Sequence, residues 1–190
     1  MNDRPRVVLA DALATEGVAI LEADDRLQVE DLSARSRAEL EQGLAGAAGL
    51  IVRSGTQADA DLFDAARNLK VVGRAGVGLD NIDLDAATRR GVAVMNAPAG
   101  NTVSTAELAF ALLLSAARHI PPADRSLRDG RWDRKAFRGA QLSGKTLGVI
   151  GAGRIGAIVI QRARAFGMKV VVADPYLTEE RARDMYVELM

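Results

Sequence analysis

The most constraining stretch of this sequence is Gly151-Ala152-Gly153-Arg154-Ile155-Gly156. Its G-x-G-x-x-G spacing alone is weak evidence in a chain of 190 residues with 18 glycines. The setting makes it strong. It follows an apolar run, Thr146-Leu147-Gly148-Val149-Ile150, and opens a helical pattern over 153–166 that Gly167 stops. A second apolar run over 169–173 comes next. Strand, glycine turn and helix in that order set a helix N-terminus, with its unpaired N–H groups and partial positive charge, against a pyrophosphate. Gly151 allows the tight turn, Gly153 removes a Cβ where backbone meets phosphate, and Gly156 lets the helix approach the strand. Asp174 stands 18 residues beyond Gly156, at the end of the second strand. A carboxylate there accepts hydrogen bonds from the adenosine ribose hydroxyls and repels a 2′-phosphate, so NAD is expected over NADP. The plainer alternative for Asp174-Pro175 is a turn that closes a strand.

The same alternation extends toward the N-terminus. Strands are expected over 6–10, 27–29, 49–53, 70–73 and 92–95, with helices over 15–21, 36–44, 59–66 and 83–90 between them. Ser36 and Glu39 have the spacing of a capping box, Asp83 suits an N-cap, and Gly91 suits the position after a helix end. Five strands separated by helices imply an α/β domain with a parallel sheet covered on both faces. Pro98-Ala99-Gly100-Asn101 is turn-rich and marks a boundary, giving a first domain over 1–98 and a second over 99–190. The second begins with a long helix from Thr102 to Arg118, which Pro121-Pro122 is expected to end before a short helix over 124–128. Residues 130–144 read as irregular. Thr178 caps a last helix to about Met185, and Val187-Glu188-Leu189 begins one more strand.

Composition narrows the chemistry. Without cysteine there is no disulfide scaffold, no thiolate metal site and no cysteine nucleophile. With one histidine, His119, there is no histidine pair, and no metal site is expected. The longest apolar stretch, 109–117, is interrupted by Ser115 and falls short of the ~18 residues of a membrane span. The first residues carry no apolar signal core, so a soluble cytoplasmic protein is expected. The 25 basic and 25 acidic residues cancel, but residues 118–138 hold six arginines and Lys135 against Asp124, Asp129 and Asp133. That excess is too small for a nucleic-acid footprint and reads as an arginine-rich surface or subunit contact.

Two further segments sit just past strand ends, where open α/β sheets bind ligands: Arg53-Ser54-Gly55-Thr56 and Arg74-Ala75-Gly76-Val77-Gly78. Small residues there expose N–H groups that hold carboxylates. The alternatives are an arginine paired with a surface acid and glycines that only turn the chain. His119 has the side chain best suited to exchange an alcohol proton near neutral pH. At the end of a helix, however, a histidine more often answers the helix dipole.

These segments, together with Asn96-Ala97-Pro98-Ala99-Gly100-Asn101-Thr102-Val103-Ser104-Thr105-Ala106-Glu107 and Asp174-Pro175-Tyr176, resemble the D-isomer-specific 2-hydroxyacid dehydrogenases along essentially the whole chain. Gly130-Arg131-Trp132-Asp133-Arg134-Lys135-Ala136-Phe137 and Leu142-Ser143-Gly144-Lys145-Thr146 are most similar to the members acting on 3-phosphoglycerate in serine biosynthesis. The resemblance implies a flavodoxin-like substrate-binding domain followed by an incomplete Rossmann dinucleotide-binding domain. It implies NAD-dependent oxidation of a small 2-hydroxy acid. Glyoxylate or hydroxypyruvate reduction, or a non-catalytic NAD(H)-sensing scaffold, are the alternatives. It sets Arg53, Ser54, the Gly76-Val77-Gly78 backbone and Asn101 toward substrate, and Val77, Arg154, Ile155 and Asp174 toward cofactor. It implies a homo-oligomer joined through the Thr102–Arg118 helix and an arm around Trp132, with Arg134 reaching a phosphate in the neighbouring active site. The family's catalytic arginine, glutamate and histidine lie downstream of the segment resembling Asp174. No catalytic residue is therefore expected in this chain, which reads as an N-terminal fragment inactive by itself. Tyr186 stands where relatives often carry glycine.

Overall fold

Short apolar strands alternating with helices set the architecture. The computed structural model describes residues 4–190 and divides them into two compact units, one up to Gly100 and one from Asn101 to Met190.

The first unit runs β1 (Arg6–Leu9), α1 (Thr15–Glu22), β2 (Gln28–Asp31), α2 (Arg37–Gly43), β3 (Gly49–Val52), α3 (Ala60–Ala65), β4 (Val71–Arg74), α4 (Leu84–Arg89) and β5 (Ala93–Asn96). The strands form one parallel sheet in the order β2-β1-β3-β4-β5, the flavodoxin-like winding. One face is closed: Val8, Leu50, Val52 and Val72 are buried with Leu62 and Phe63 from α3, whereas Val7, Ile51 and Val71 on the opposite face are half-buried and α1 buries none of its residues. The caps are those the residue types favour. Ser36 and Glu39 close a full capping box on α2, Asp59 accepts the Leu62 N–H at 3.0 Å, and Asp83 accepts the Ala86 N–H at 2.8 Å. At the end of α4, Gly91 takes φ +67°, its N–H donates to the Thr88 carbonyl, and the Val92 N–H donates to Ala87. This is a Schellman end, which favours glycine at the left-handed position.

The second unit runs α5 (Thr102–Ala117), α6 (Ile120–Arg128), β6 (Thr146–Ile150), α7 (Arg154–Ala165), β7 (Lys169–Ala173), α8 (Glu179–Asp184) and β8 (Glu188–Leu189). Its strands are parallel in the order β6-β7-β8. Phe110 of α5, Ile160 and Ala163 of α7, and Val170 and Val172 of β7 form its buried core. Leu147 and Val149 pack against that core, whereas the intervening Thr146, Gly148 and Ile150 point outward; Ile150 is 96% exposed.

Two sequence expectations shift. The strand expected over 27–29 is displaced and runs over Gln28–Asp31. Pro121-Pro122 does not end the long helix. That helix stops at Ala117, His119 takes a left-handed φ of 52°, and the prolines lie in the first turn of α6, which begins at Ile120 and is bent 62° from α5. The first turn of a helix tolerates proline because its N–H groups have no intrahelical partner.

Candidate functional site

In the second unit the glycine turn joins β6 to α7. Gly151 takes φ +88° and its N–H donates to the Ala173 carbonyl at 2.9 Å, tying the ends of β6 and β7 together. A Cβ on Gly156 would collide with the Gly151 carbonyl oxygen, so only glycine lets α7 come this close to the strand end. A Cβ on Gly153 would meet nothing. Gly153 is the N-cap of the twelve-residue α7 and no side chain caps that end. This uncapped turn is the positive end of a helix, which suits a pyrophosphate. Arg154 and the half-buried Ile155 occupy this turn.

Asp174 closes the strand-end turn, one of the two roles the sequence leaves open. One carboxylate oxygen accepts the Ala152 N–H at 2.6 Å, and the other accepts the Tyr176 N–H at 2.8 Å. These bonds hold its carboxyl below the usual carboxylate range, the Tyr176 N–H contributing most and Ala152 next. Two N–H donors do not exhaust the acceptor capacity of a carboxylate, which remains able to bind ribose hydroxyls. Asp174, Gly153, Arg154, Tyr176 and Arg181 line a cavity of about 350 Å³. The uncapped first turn of α7 and the Asp174 carboxylate suit an adenosine diphosphate moiety.

In the first unit a buried hub organises the two strand-end loops. Asn81, 3% exposed, donates from Nδ2 to the carbonyls of Arg53 (2.7 Å) and Thr56 (2.6 Å), while its Oδ1 accepts from Arg74 Nε at 3.2 Å. Asp11, just past β1, accepts the N–H of Arg53 (2.5 Å) and of Thr56 (3.2 Å). The Arg53 and Gly76–Gly78 loops are thus fixed through one network. The exposed Arg53 guanidinium reaches only the Ala12 carbonyl, at 3.2 Å, and makes no ion pair among the described residues. Arg74 is committed instead to Asn81 and, at 3.9 Å, to Asp80. The Gly76 N–H is consumed by the Arg74 carbonyl at 2.8 Å. The Val77 and Gly78 N–H groups have no acceptor among the described residues, and neither do those of Ser54 and Gly55. Of the backbone expected to face an anion, the Gly76 N–H is therefore already bonded, and the N–H groups of the next two residues are the ones left without an acceptor. The Asn96 side chain holds the Val77 carbonyl at 2.6 Å.

Asn101 and Arg134 belong to the second unit. Asn101 is the exposed N-cap of α5 and makes no side-chain cap bond. Arg134 is exposed and, with Arg118, Arg131, Trp132 and Phe137, lines a cavity of about 650 Å³ beside α6. His119 lies exposed at the α5–α6 break. Sequence reasoning passes over Asp11 and Asn81. The strand-end rule that selects Arg53 also points to Asp11, but a polar residue buried as a bridge, like Asn81, has no local signature. Among the described residues no three His, Cys, Asp or Glu side chains are grouped to hold a metal ion. No single helix there is long and apolar enough to cross a membrane.

The family model for "D-isomer specific 2-hydroxyacid dehydrogenase, catalytic domain" matches residues 7–190, and the chain belongs to this family of oxidoreductases. It is 48% identical over 97% of its length to the D-3-phosphoglycerate dehydrogenase of Archaeoglobus fulgidus. It is 50% identical over 98% of its length to that of Mycobacterium bovis. In each case it spans about a third (35%) of the relative's length. Among solved structures, the TT0316 protein of Thermus thermophilus superposes with a TM-score of 0.86 at 35% identity, covering 97% of this chain and 59% of that one.

Proposed function

We propose that this chain is the N-terminal part of an NAD-dependent D-3-phosphoglycerate dehydrogenase, the intact protein oxidising D-3-phosphoglycerate to 3-phosphohydroxypyruvate in serine biosynthesis. The observation that carries the reading is identity of 48–50% along nearly the whole chain to relatives of that name. The two organised sites support it.

In this reading the Val77 and Gly78 N–H groups take the substrate carboxylate. Arg53, unpaired and backed by the Ser54 and Gly55 N–H groups, supplies positive charge for an anionic substrate. Asn101 and Arg134 are assigned to substrate as well, Arg134 toward the phosphate held by a second copy. The first turn of α7 binds pyrophosphate and Asp174 the adenosine ribose. NAD held there would supply the hydride acceptor for the carbon that bears the substrate hydroxyl. The group that takes the hydroxyl proton is assigned to sequence outside these 190 residues, and His119, exposed at the break between α5 and α6, is not given that role. The exposed Leu108, Leu112, Leu127 and Trp132 form the contact between copies.

The test is a pair of measurements. The 190-residue chain is expected to bind NAD in calorimetric titration and to show no steady-state NADH production with 3-phosphoglycerate. The intact parent is expected to reduce NAD with 3-phosphoglycerate in preference to D-lactate or glycolate. Turnover by the parent with those acids and none with 3-phosphoglycerate would sink the substrate assignment.

A further inference from the structure

The cavity beside the glycine turn contains a cation that the NAD reading does not use. Arg181 lines it together with Asp174, Gly153 and Tyr176. Its backbone is fixed, because its N–H donates to the Thr178 Oγ at 3.2 Å in the capped first turn of α8. Its guanidinium makes no ion pair among the described residues. The next arginine along the helix, Arg183, is engaged by Glu179 at 3.8 Å. The cavity therefore presents one carboxylate, tied down by the Ala152 and Tyr176 N–H groups, and two arginines, Arg154 in the glycine turn's helix and Arg181 across from it in α8, the latter making no ion pair among the described residues.

We propose that Arg181 is a latent specificity residue of this pocket: a phosphate ligand that Asp174 masks, so that the choice between NAD and NADP turns on one carboxylate. The inference rests on the pocket being the dinucleotide site proposed above. With Asp174 in place, a 2′-phosphate meets a fixed negative charge beside the ribose and is rejected, and Arg181 contributes little to NAD. With that charge removed, the same phosphate lies within the reach of a planar fork of N–H donors matched to its oxygens. Tyr176 and Leu177, the other walls of this side of the cavity, carry no charge that opposes a phosphate.

The experiment titrates NAD and NADP into the wild-type chain, Asp174→Ser, Arg181→Ala and the double variant. Wild type is expected to bind NAD and to disfavour NADP. Asp174→Ser gains affinity for NADP by about tenfold or more, the scale of one charge-assisted hydrogen bond. Arg181→Ala still binds NAD and still disfavours NADP, because Asp174 is in place. The double variant loses the NADP gain. A double variant that binds NADP as tightly as Asp174→Ser overturns the proposal. So does an Asp174→Ser protein that binds NAD and gains nothing for NADP. If loss of the Ala152 anchor unfolds Asp174→Ser, Asp174→Asn, which retains an acceptor oxygen, carries the same comparison. A folded wild-type chain that binds neither dinucleotide defeats the cofactor reading itself, and this inference with it.

Discussion

Tyr186 shows how much a single backbone angle can cost and how a neighbour offsets it. It takes φ 52°, the left-handed region, at the end of α8. Its N–H donates to Arg183 at 2.9 Å and the Val187 N–H donates to Ala182 at 3.0 Å. Gly91 and Gly167 make the same pair of bonds at the ends of α4 and α7. A non-glycine residue in this conformation costs roughly 1–2 kcal/mol. The Arg164 guanidinium lies 4.4 Å from the Tyr186 ring centroid, and a cation–π contact at an exposed ring returns about 0.5–1 kcal/mol. Tyr186→Ala keeps the strain and loses the ring, whereas Tyr186→Gly removes both. The glycine variant is therefore expected to melt above the alanine variant by about 2–8 °C in calorimetry. Equal midpoints would show that the left-handed angle carries no strain.

Asp174 gives the residue-scale prediction in pH. Its folded carboxyl lies below the ordinary value of 3.8, held there by the Tyr176 and Ala152 N–H groups. A depressed folded pKa means that the unfolded chain takes up the proton first. The carboxylate's contribution is therefore complete above the ordinary value and is lost as pH falls through the folded one. The stability gap between wild type and Asp174→Asn is expected to be level near neutrality and to narrow as pH drops below 3.8. Denaturant titrations across that range measure it, and a gap that widens in acid would reverse the assigned sign.

At the scale of elements, the turn between β6 and α7 separates two functions of glycine that the motif spacing alone cannot. At Gly156 an added Cβ meets the Gly151 carbonyl, so Gly156→Ala must push helix from strand, an overpacking cost of about 1–3 kcal/mol. At Gly153 the space is open and φ is −64°, an angle alanine adopts freely. Gly153→Ala is expected to melt close to wild type while weakening NAD binding, because its methyl occupies the surface a pyrophosphate approaches. Gly156→Ala is expected to lose both. Thermal melts read beside titrations distinguish them, and undiminished NAD affinity in Gly153→Ala would remove the turn from the site.

What the sequence discloses about these elements follows from the range of the interactions involved. Ser36 with Glu39, Asp83 with Ala86 and Thr178 with Arg181 act within a single turn, so their residue types announce the helix starts. The break between α5 and α6 is misplaced by sequence because proline forbids a helix interior but suits a first turn, and no local rule states which applies. Asp11 lies 42 residues from Arg53, and Asn81 lies 28 residues from Arg53. Only the winding order β1-β3-β4 brings them to the same strand ends. The glycine fingerprint is legible for the opposite reason, because its whole geometry fits within six consecutive residues.

For the whole molecule, the two units bury their sheets unequally. In the first, the central β3 is apolar on both sides, and its neighbours β1 and β4 are paired on both edges. In the second, β6 has only β7 beside it among the described residues, and its outward residues Thr146, Gly148 and Ile150 are exposed. Parallel sheets draw their stability from burial on both faces. Opening free energy should therefore differ along one chain. In hydrogen exchange the β1, β3 and β4 amides are expected to be the slowest, and those of β6 to exchange appreciably faster. Saturating NAD at about 100 times its dissociation constant adds roughly 2.7 kcal/mol to any opening that destroys its site, an exchange slowing of about 100-fold. That slowing belongs in β6, the first turn of α7 and β7, which converge on Gly151 and Asp174. Protection that rises first in β1, β3 and β4, with β6 and α7 unchanged, would place the dinucleotide on the other unit and contradict the role given to the glycine turn.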